Sequence, residues 1–169
     1  MKELQKVCLS IAGLDPSGGA GILADVRAFA AFGCFPAAAV TSLTYQNTQG
    51  VFGSENQSGE VVERQIMPIL EDYSFGAVKT GMLPSADVIE AVARVLSAIP
   101  DVPLVVDPVV RSTSGFDLID DAALRSLTQR LFPMAAVVTP NLAEAERIAG
   151  IAIEADDDLE RAARVMHEL

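Results

Sequence analysis

Short, continuous apolar runs alternate along this chain with segments whose apolar residues recur every three or four positions. Residues 7–11 (Val-Cys-Leu-Ser-Ile) form the first run, which stops at Ala12-Gly13 and predicts a buried strand. After a glycine-rich turn, Ile22, Leu23, Val26, Phe29, Ala30 and Phe32 recur at helical spacing until Gly33 closes the helix. Residues 37–44 read as a second strand, and residues 45–59, polar and rich in Gly, Asn and Gln, as loop or short edge strands. Val61, Val62, Gln65, Ile66, Ile69 and Leu70 predict a further helix. The same alternation then repeats: strand 77–80, helix 86–99, strand 104–106, helix 120–131, strand 135–139, helix 142–149 capped by Gly150. A last helical stripe carries Leu159, Ala162, Ala163, Met166 and Leu169.

Apolar strands alternating with helices predict an α/β fold with a mostly parallel central sheet covered on both faces. Sheets of this kind bind ligands at the carboxyl ends of their strands. The residues directly after each strand are therefore the informative ones: residues 15–21, Gln46-Asn47, Gly81-Met82, Asp107-Pro108 and residues 141–144. No repeat, low-complexity tract or linker divides the chain, so residues 1–169 are expected to form a single domain.

Charge narrows the partners. The 169 residues carry 12 Lys+Arg against 23 Asp+Glu, a net charge of −11, and half are hydrophobic. An acid excess argues against a nucleic-acid partner, which needs clustered cations. The polar start of the chain is unlike a signal peptide, and its most apolar stretch, broken by Gly33 and Pro36, is too short to span a bilayer. With only Cys8 and Cys34, expected to be core thiols, the chain reads as cytoplasmic, without disulfides or a membrane partner.

The strand-end residues each admit a functional and a plain reading. Residues 16–21 (Pro-Ser-Gly-Gly-Ala-Gly) offer either backbone N–H groups for an anion or a tight turn that needs glycine for close packing. The segment is not a P-loop, since no Lys-Ser/Thr follows, and it lacks the Gly-x-Gly-x-x-Gly spacing of dinucleotide folds. Asp107, held extended before Pro108, and Glu144, on the first turn of a helix, could share a hard cation such as Mg²⁺ through its waters. Alternatively they are a turn aspartate and an acid that suits the helix dipole. The Gln46 amide can donate and accept together, as a base-like heterocycle requires, or can satisfy loop backbone. Met82 could wall a flat ligand or simply fill core space. His167, the sole histidine, sits in a polar helix and reads as solvated, as does Asp156-Asp157-Asp158. No Ser-His-Asp triad or Cys/His zinc site is supported.

Taken in order, these segments resemble the hydroxymethylpyrimidine/phosphomethylpyrimidine kinases of thiamine biosynthesis, a branch of the ribokinase-like superfamily. The matching blocks are Ala12-Gly13-Leu14-Asp15-Pro16-Ser17-Gly18-Gly19-Ala20-Gly21-Ile22, Ala24-Asp25, Gln46-Asn47-Thr48, Lys79-Thr80-Gly81-Met82-Leu83, Asp107-Pro108-Val109, Ser114-Gly115 and Thr139-Pro140-Asn141-Leu142-Ala143-Glu144-Ala145-Glu146. The resemblance implies a ribokinase-like three-layer sandwich and ATP- and Mg²⁺-dependent phosphorylation of a small-molecule pyrimidine. The alcohol would be phosphorylated first, and the monophosphate then converted to the diphosphate. It places the acceptor at Gly13, Ala20, Gln46, Met82 and Val109, with Gln46 on the aminopyrimidine and Met82 and Val109 against its ring. Asp107 and Glu144 would lie near Mg²⁺ and the nucleotide phosphates, and a homodimer is compatible with the resemblance.

Some positions depart from the family pattern: Leu14 for Ser or Thr, Thr80 for Ile, Val110-Arg111 for Met with an apolar neighbour, Thr113 for Lys and Ala143 for Pro. The larger departure is the Gly-Thr-Gly-Cys-like block that supplies the base and anion hole in this family, which does not occur in these 169 residues. The expectation is therefore a C-terminally truncated kinase domain with the acceptor site, no catalytic base and little activity of its own. A pyridoxal kinase-like vitamin kinase and a non-catalytic pyrimidine-binding module are the competing readings.

Overall fold

The computed structural model describes residues 6–110 and 118–169; Arg111, Thr113 and Ser114-Gly115 lie outside the described residues. Strands β1 (Val7–Leu14), β2 (Phe35–Asn47), β3 (Gly50–Asn56), β4 (Phe75–Thr80), β5 (Leu104–Val106) and β6 (Val137–Val138) form one sheet in the order β3-β2-β1-β4-β5-β6. All neighbours are parallel except β2 and β3, an antiparallel hairpin at the edge. The helices are α1 (Gly21–Ala31), α2 (Gly59–Asp72), α3 (Ala86–Leu96), α4 (Asp121–Ser126), α5 (Leu142–Ala149) and α6 (Asp156–His167).

Alternation along the central strands sends successive side chains to opposite faces. On one face Leu9, Ile11, Val78 and Val106 are buried in a core with Val62 and Ile66 of α2 and Ile89 and Val92 of α3. On the other face, Ser10 of β1 and Lys79 of β4 reach Asp25 of α1. Helices thus cover both faces, the three-layer arrangement expected. The helices start where short polar side chains accept an orphan N–H. Ser58, Ser85 and Asp120 accept from Val61, Val88 and Ala123, and Asn141 with Glu144 forms a capping box. Among the described residues no helix is long and apolar enough to cross a membrane.

Several elements differ from the periodicity reading: β1 runs to Leu14 instead of stopping at Ala12-Gly13, α3 ends at Leu96 instead of residue 99, and three more differ as follows. β2 runs to Asn47 instead of ending at residue 44, because the hairpin with β3 extends its pairing through Gln46↔Val51 and Asn47↔Gly50. The helix expected over 120–131 changes to a π turn at Leu127–Leu131 and a 3₁₀ turn at Phe132–Met134, where Pro133 has no N–H to continue the ladder. β6 is two residues long instead of the five expected over 135–139, pairing as Val105↔Val137 and Val106↔Val138, with the flanking Ala136 and Thr139 N–H groups donating to the Leu104 and Val106 carbonyls.

One core group is unsatisfied. Thr80 is fully buried and its Oγ1 has no hydrogen-bond partner among the described residues. An unpaired buried hydroxyl costs about 1–3 kcal/mol, and valine has nearly the same shape. Thr80→Val is therefore expected to stabilise the chain by about 1–2 kcal/mol, read as a higher urea midpoint with unchanged slope. An unchanged or lower midpoint would show that the hydroxyl is paired.

Candidate active site

The connection from β1 to β2 runs toward one edge of the sheet and those from β4 to β5 and β6 toward the other. The order reverses between β1 and β4, where open α/β sheets leave a crevice. A cleft of about 580 Å³ lies there, against the carboxyl ends of β1, β2, β4 and β5. Gly13, Ala20, Gln46, Met82, Val109 and Asp107 all line it. Of these, Gly13 and Val109 lie 96 positions apart in sequence and are brought to one cavity. Glu144 is not among the lining residues.

The glycine-rich turn encloses its own anion. Asp15 is 4% exposed. Its Oδ1 accepts from the Ser17 N–H at 2.8 Å and the Ser17 hydroxyl at 2.7 Å. Its Oδ2 accepts from the N–H groups of Gly19 at 3.1 Å and Ala20 at 2.9 Å. Burial alone would raise the Asp15 pKa, but these four hydrogen bonds outweigh it and hold the carboxyl below the usual aspartate value. The N–H groups of Gly19 and Ala20 are thus spent on Asp15, which favours the tight-turn reading over an external anion cradle. Close packing needs the glycine as well: Gly21 has φ +56°, and a Cβ there would overlap the Gly13 carbonyl oxygen.

Gln46 reaches the cleft from near the end of β2. The Thr44 hydroxyl lies 3.0 Å from its Oε1 and 2.9 Å from the Leu14 carbonyl oxygen, tying the amide to the end of β1. The single Thr44 proton is shared between these two acceptors, so the Gln46 amide keeps both its NH₂ and accepting capacity on Oε1 for a ligand. Met82 is 8% exposed, and its carbonyl accepts from the Thr41 hydroxyl at 2.6 Å. Its sulfur would lie 3.2 Å from a Cβ on Gly13, so Gly13 leaves the room that Met82 occupies. Both readings of Met82 apply: it is packed and it walls the cleft.

Asp107 follows β5, and its Oδ2 lies 3.2 Å from the Lys79 ammonium. Lys79 is also 3.1 Å from Oδ1 and 3.2 Å from Oδ2 of Asp25, which accepts the Ser10 hydroxyl at 2.6 Å. Glu144 is 4% exposed; it accepts from the Asn141 N–H at 2.8 Å and the Val110 N–H at 3.4 Å. Burial, with the Asp107 charge adding to it, raises the Glu144 pKa despite these hydrogen bonds. Both acids present hard oxygen donors. No group of three or more His, Cys, Asp or Glu that could hold a metal ion occurs among the described residues.

Lys79 and Asp25 carry the electrostatics of this region, yet periodicity assigned them no role. The available signal was a lysine inside an apolar, two-faced strand, where a charge needs counter-ions. Elsewhere, Cys8 is a buried free thiol raised to about 11 by burial and by its neighbour Cys34, itself half-buried, so neither is disulfide-bonded and Cys8 stays protonated. His167 is exposed, as expected.

A mostly parallel sheet with a cleft at its switch point, a glycine-rich wall and a strand-end carboxylate is the arrangement of α/β domains that bind small ligands at their strand ends. The family model for phosphomethylpyrimidine kinase matches residues 15–169. A hydroxymethylpyrimidine/phosphomethylpyrimidine kinase of Staphylococcus aureus is 39% identical over 160 residues, 95% of this chain and 58% of that protein. The crystal structure of phosphomethylpyrimidine kinase from Clostridium difficile 630 superposes with a TM-score of 0.88 at 39% identity, covering 97% of this chain and 71% of that one. A pyridoxal kinase from Staphylococcus aureus, solved with AMP-PCP and pyridoxal, has a TM-score of 0.83 at 28% identity, covering 98% and 59%. This chain belongs to the phosphomethylpyrimidine kinase family and has the ribokinase-like fold of these kinases. It spans 58% of the length of the curated Staphylococcus aureus relative.

Proposed function

We propose that this chain carries the acceptor site of an ATP-dependent kinase that phosphorylates 4-amino-5-hydroxymethyl-2-methylpyrimidine and then its monophosphate, in thiamine biosynthesis. The observation that carries this reading is the convergence of Gly13, Ala20, Gln46, Met82 and Val109 on one cleft. Gln46 offers its amide to the aminopyrimidine, and the apolar Met82 and Val109 take the faces of the ring. Asp107, in the cleft wall, supplies an oxygen suited to Mg²⁺ through its waters, whereas Glu144 lies behind the lining with both oxygens on backbone N–H groups. Mg²⁺ bound with ATP would neutralise charge on the transferring phosphoryl group. On this reading the base and anion hole, carried in the family by a Gly-Thr-Gly-Cys-like block, are not supplied by these 169 residues. Taken alone, the chain binds acceptor and transfers phosphate poorly.

The similarity to a pyridoxal kinase solved with pyridoxal supports a second reading, a pyridoxal kinase-like acceptor preference. Calorimetric titration of the chain with each compound separates the two. Hydroxymethylpyrimidine is expected to bind more tightly than pyridoxal, and Gln46→Ala to weaken that binding about 10-fold, the worth of one well-made hydrogen bond. Tighter pyridoxal binding would favour the second reading. Binding of neither compound would remove both.

A further inference from the structure

We propose that Lys79 is a positioning residue of the transfer site, its ammonium anchored on Asp25 and holding the Asp107 carboxylate in place at the cleft wall. The inference rests on the kinase reading above. Lys79 is the only charged residue of β4, and its side chain is 24% exposed. A lysine there is tolerated only with counter-ions, and it has two. The contacts are unequal. Both oxygens of Asp25, 12% exposed, meet the ammonium, and Asp25 is held in turn by the Ser10 hydroxyl. Asp107, the more exposed at 32%, is met through Oδ2 alone. Asp25 is therefore the anchor and Asp107 the group being held.

The neighbouring backbone is close. A Cβ on Gly81 would lie 3.0 Å from the Ala12 Cβ, a tight approach, and in ordinary contact at 3.6 Å from Lys79 Nζ, so the ammonium packs directly beside this backbone. One positive charge against two carboxylates leaves the trio at −1, which argues against Lys79 as a direct ligand for a phosphate. Its effect passes instead through Asp107. Small misplacements of a group beside the reacting atoms can lower the rate up to about 100-fold.

The test is steady-state kinetics on the natural protein that carries this chain, with hydroxymethylpyrimidine and ATP. The variants are Lys79→Met, Lys79→Arg, Asp25→Asn, Asp107→Asn and the Lys79→Met/Asp107→Asn double. Lys79→Met is expected to lower kcat about 10–100-fold with the acceptor KM changed by less than about threefold. Lys79→Arg should recover part of that loss, because a guanidinium can still bridge two carboxylates. Asp25→Asn should lose less than Lys79→Met. The double variant should be no slower than Asp107→Asn alone, since both changes act through one group. The proposal is overturned if kcat is unchanged, if the two losses multiply, or if the loss falls wholly in KM, which would put Lys79 on the acceptor itself. If Lys79→Met does not fold, Lys79→Arg and Asp25→Asn carry the same kcat-against-KM comparison. A wild-type enzyme that does not phosphorylate hydroxymethylpyrimidine would instead refute the kinase reading, and this inference with it.

Discussion

Gly21→Ala is expected to lower the melting temperature of this chain by about 5–20 °C and to abolish measurable acceptor binding. Two costs combine. Gly21 has φ +56°, a left-handed conformation that costs an L-residue about 1–2 kcal/mol. The new Cβ would also overlap the Gly13 carbonyl oxygen, and backbone cannot swing aside as a side chain does. Forcing it apart adds about 1–3 kcal/mol of overpacking. Because Gly13 and Ala20 both line the cleft, the displacement reaches the site directly. Gly33→Ala is the internal control. Its φ is +75°, yet nothing lies within 4 Å of the Cβ position. That variant should lose about 1–2 kcal/mol and keep its acceptor affinity. Equal losses in the two variants, read by thermal melting and calorimetry, would refute the steric account.

Asp15→Ala is expected to destabilise the chain by about 2–3 kcal/mol and weaken acceptor binding at least about 10-fold, because it leaves four donors of the turn without their acceptor. Asp15→Asn should lose less, since its oxygen still accepts from two of the four donors while the NH₂ faces the other two. The pH dependence gives a second signature. Asp15 has a folded pKa below its ordinary value of 3.8. Its contribution to stability is therefore fully present above that ordinary value and is lost as pH falls through the lower folded value. Urea midpoints measured from about pH 5 to about pH 2.5 should fall more steeply in the wild type than in Asp15→Ala. Parallel curves would show that the turn does not depend on the Asp15 charge.

Much of this architecture is encoded locally. Runs such as Leu104-Val105-Val106 and the spacing of Val88, Ile89, Val92 and Val95 place strands and helices near their observed limits, because side-chain period follows backbone geometry. The strand-end rule then pointed to residues that line the cleft. The end of β2 was harder to read, since its polar residues pair only because β3 folds back on them. The role of the glycine-rich turn was also undecided in sequence: whether its N–H groups serve a ligand or Asp15 depends on where that carboxylate sits.

The order of apolar and polar residues thus determined the α/β alternation, the strand ends and the set of candidate positions. Only the tertiary structure decided that Glu144 lies outside the cleft lining, and that Asp25, 54 residues from Lys79, is the anion that anchors it. The reason is physical. Hydrophobic periodicity is set within a few turns of chain. The partner of a buried charge is instead set by which strands become neighbours, a choice made by the sheet as a whole.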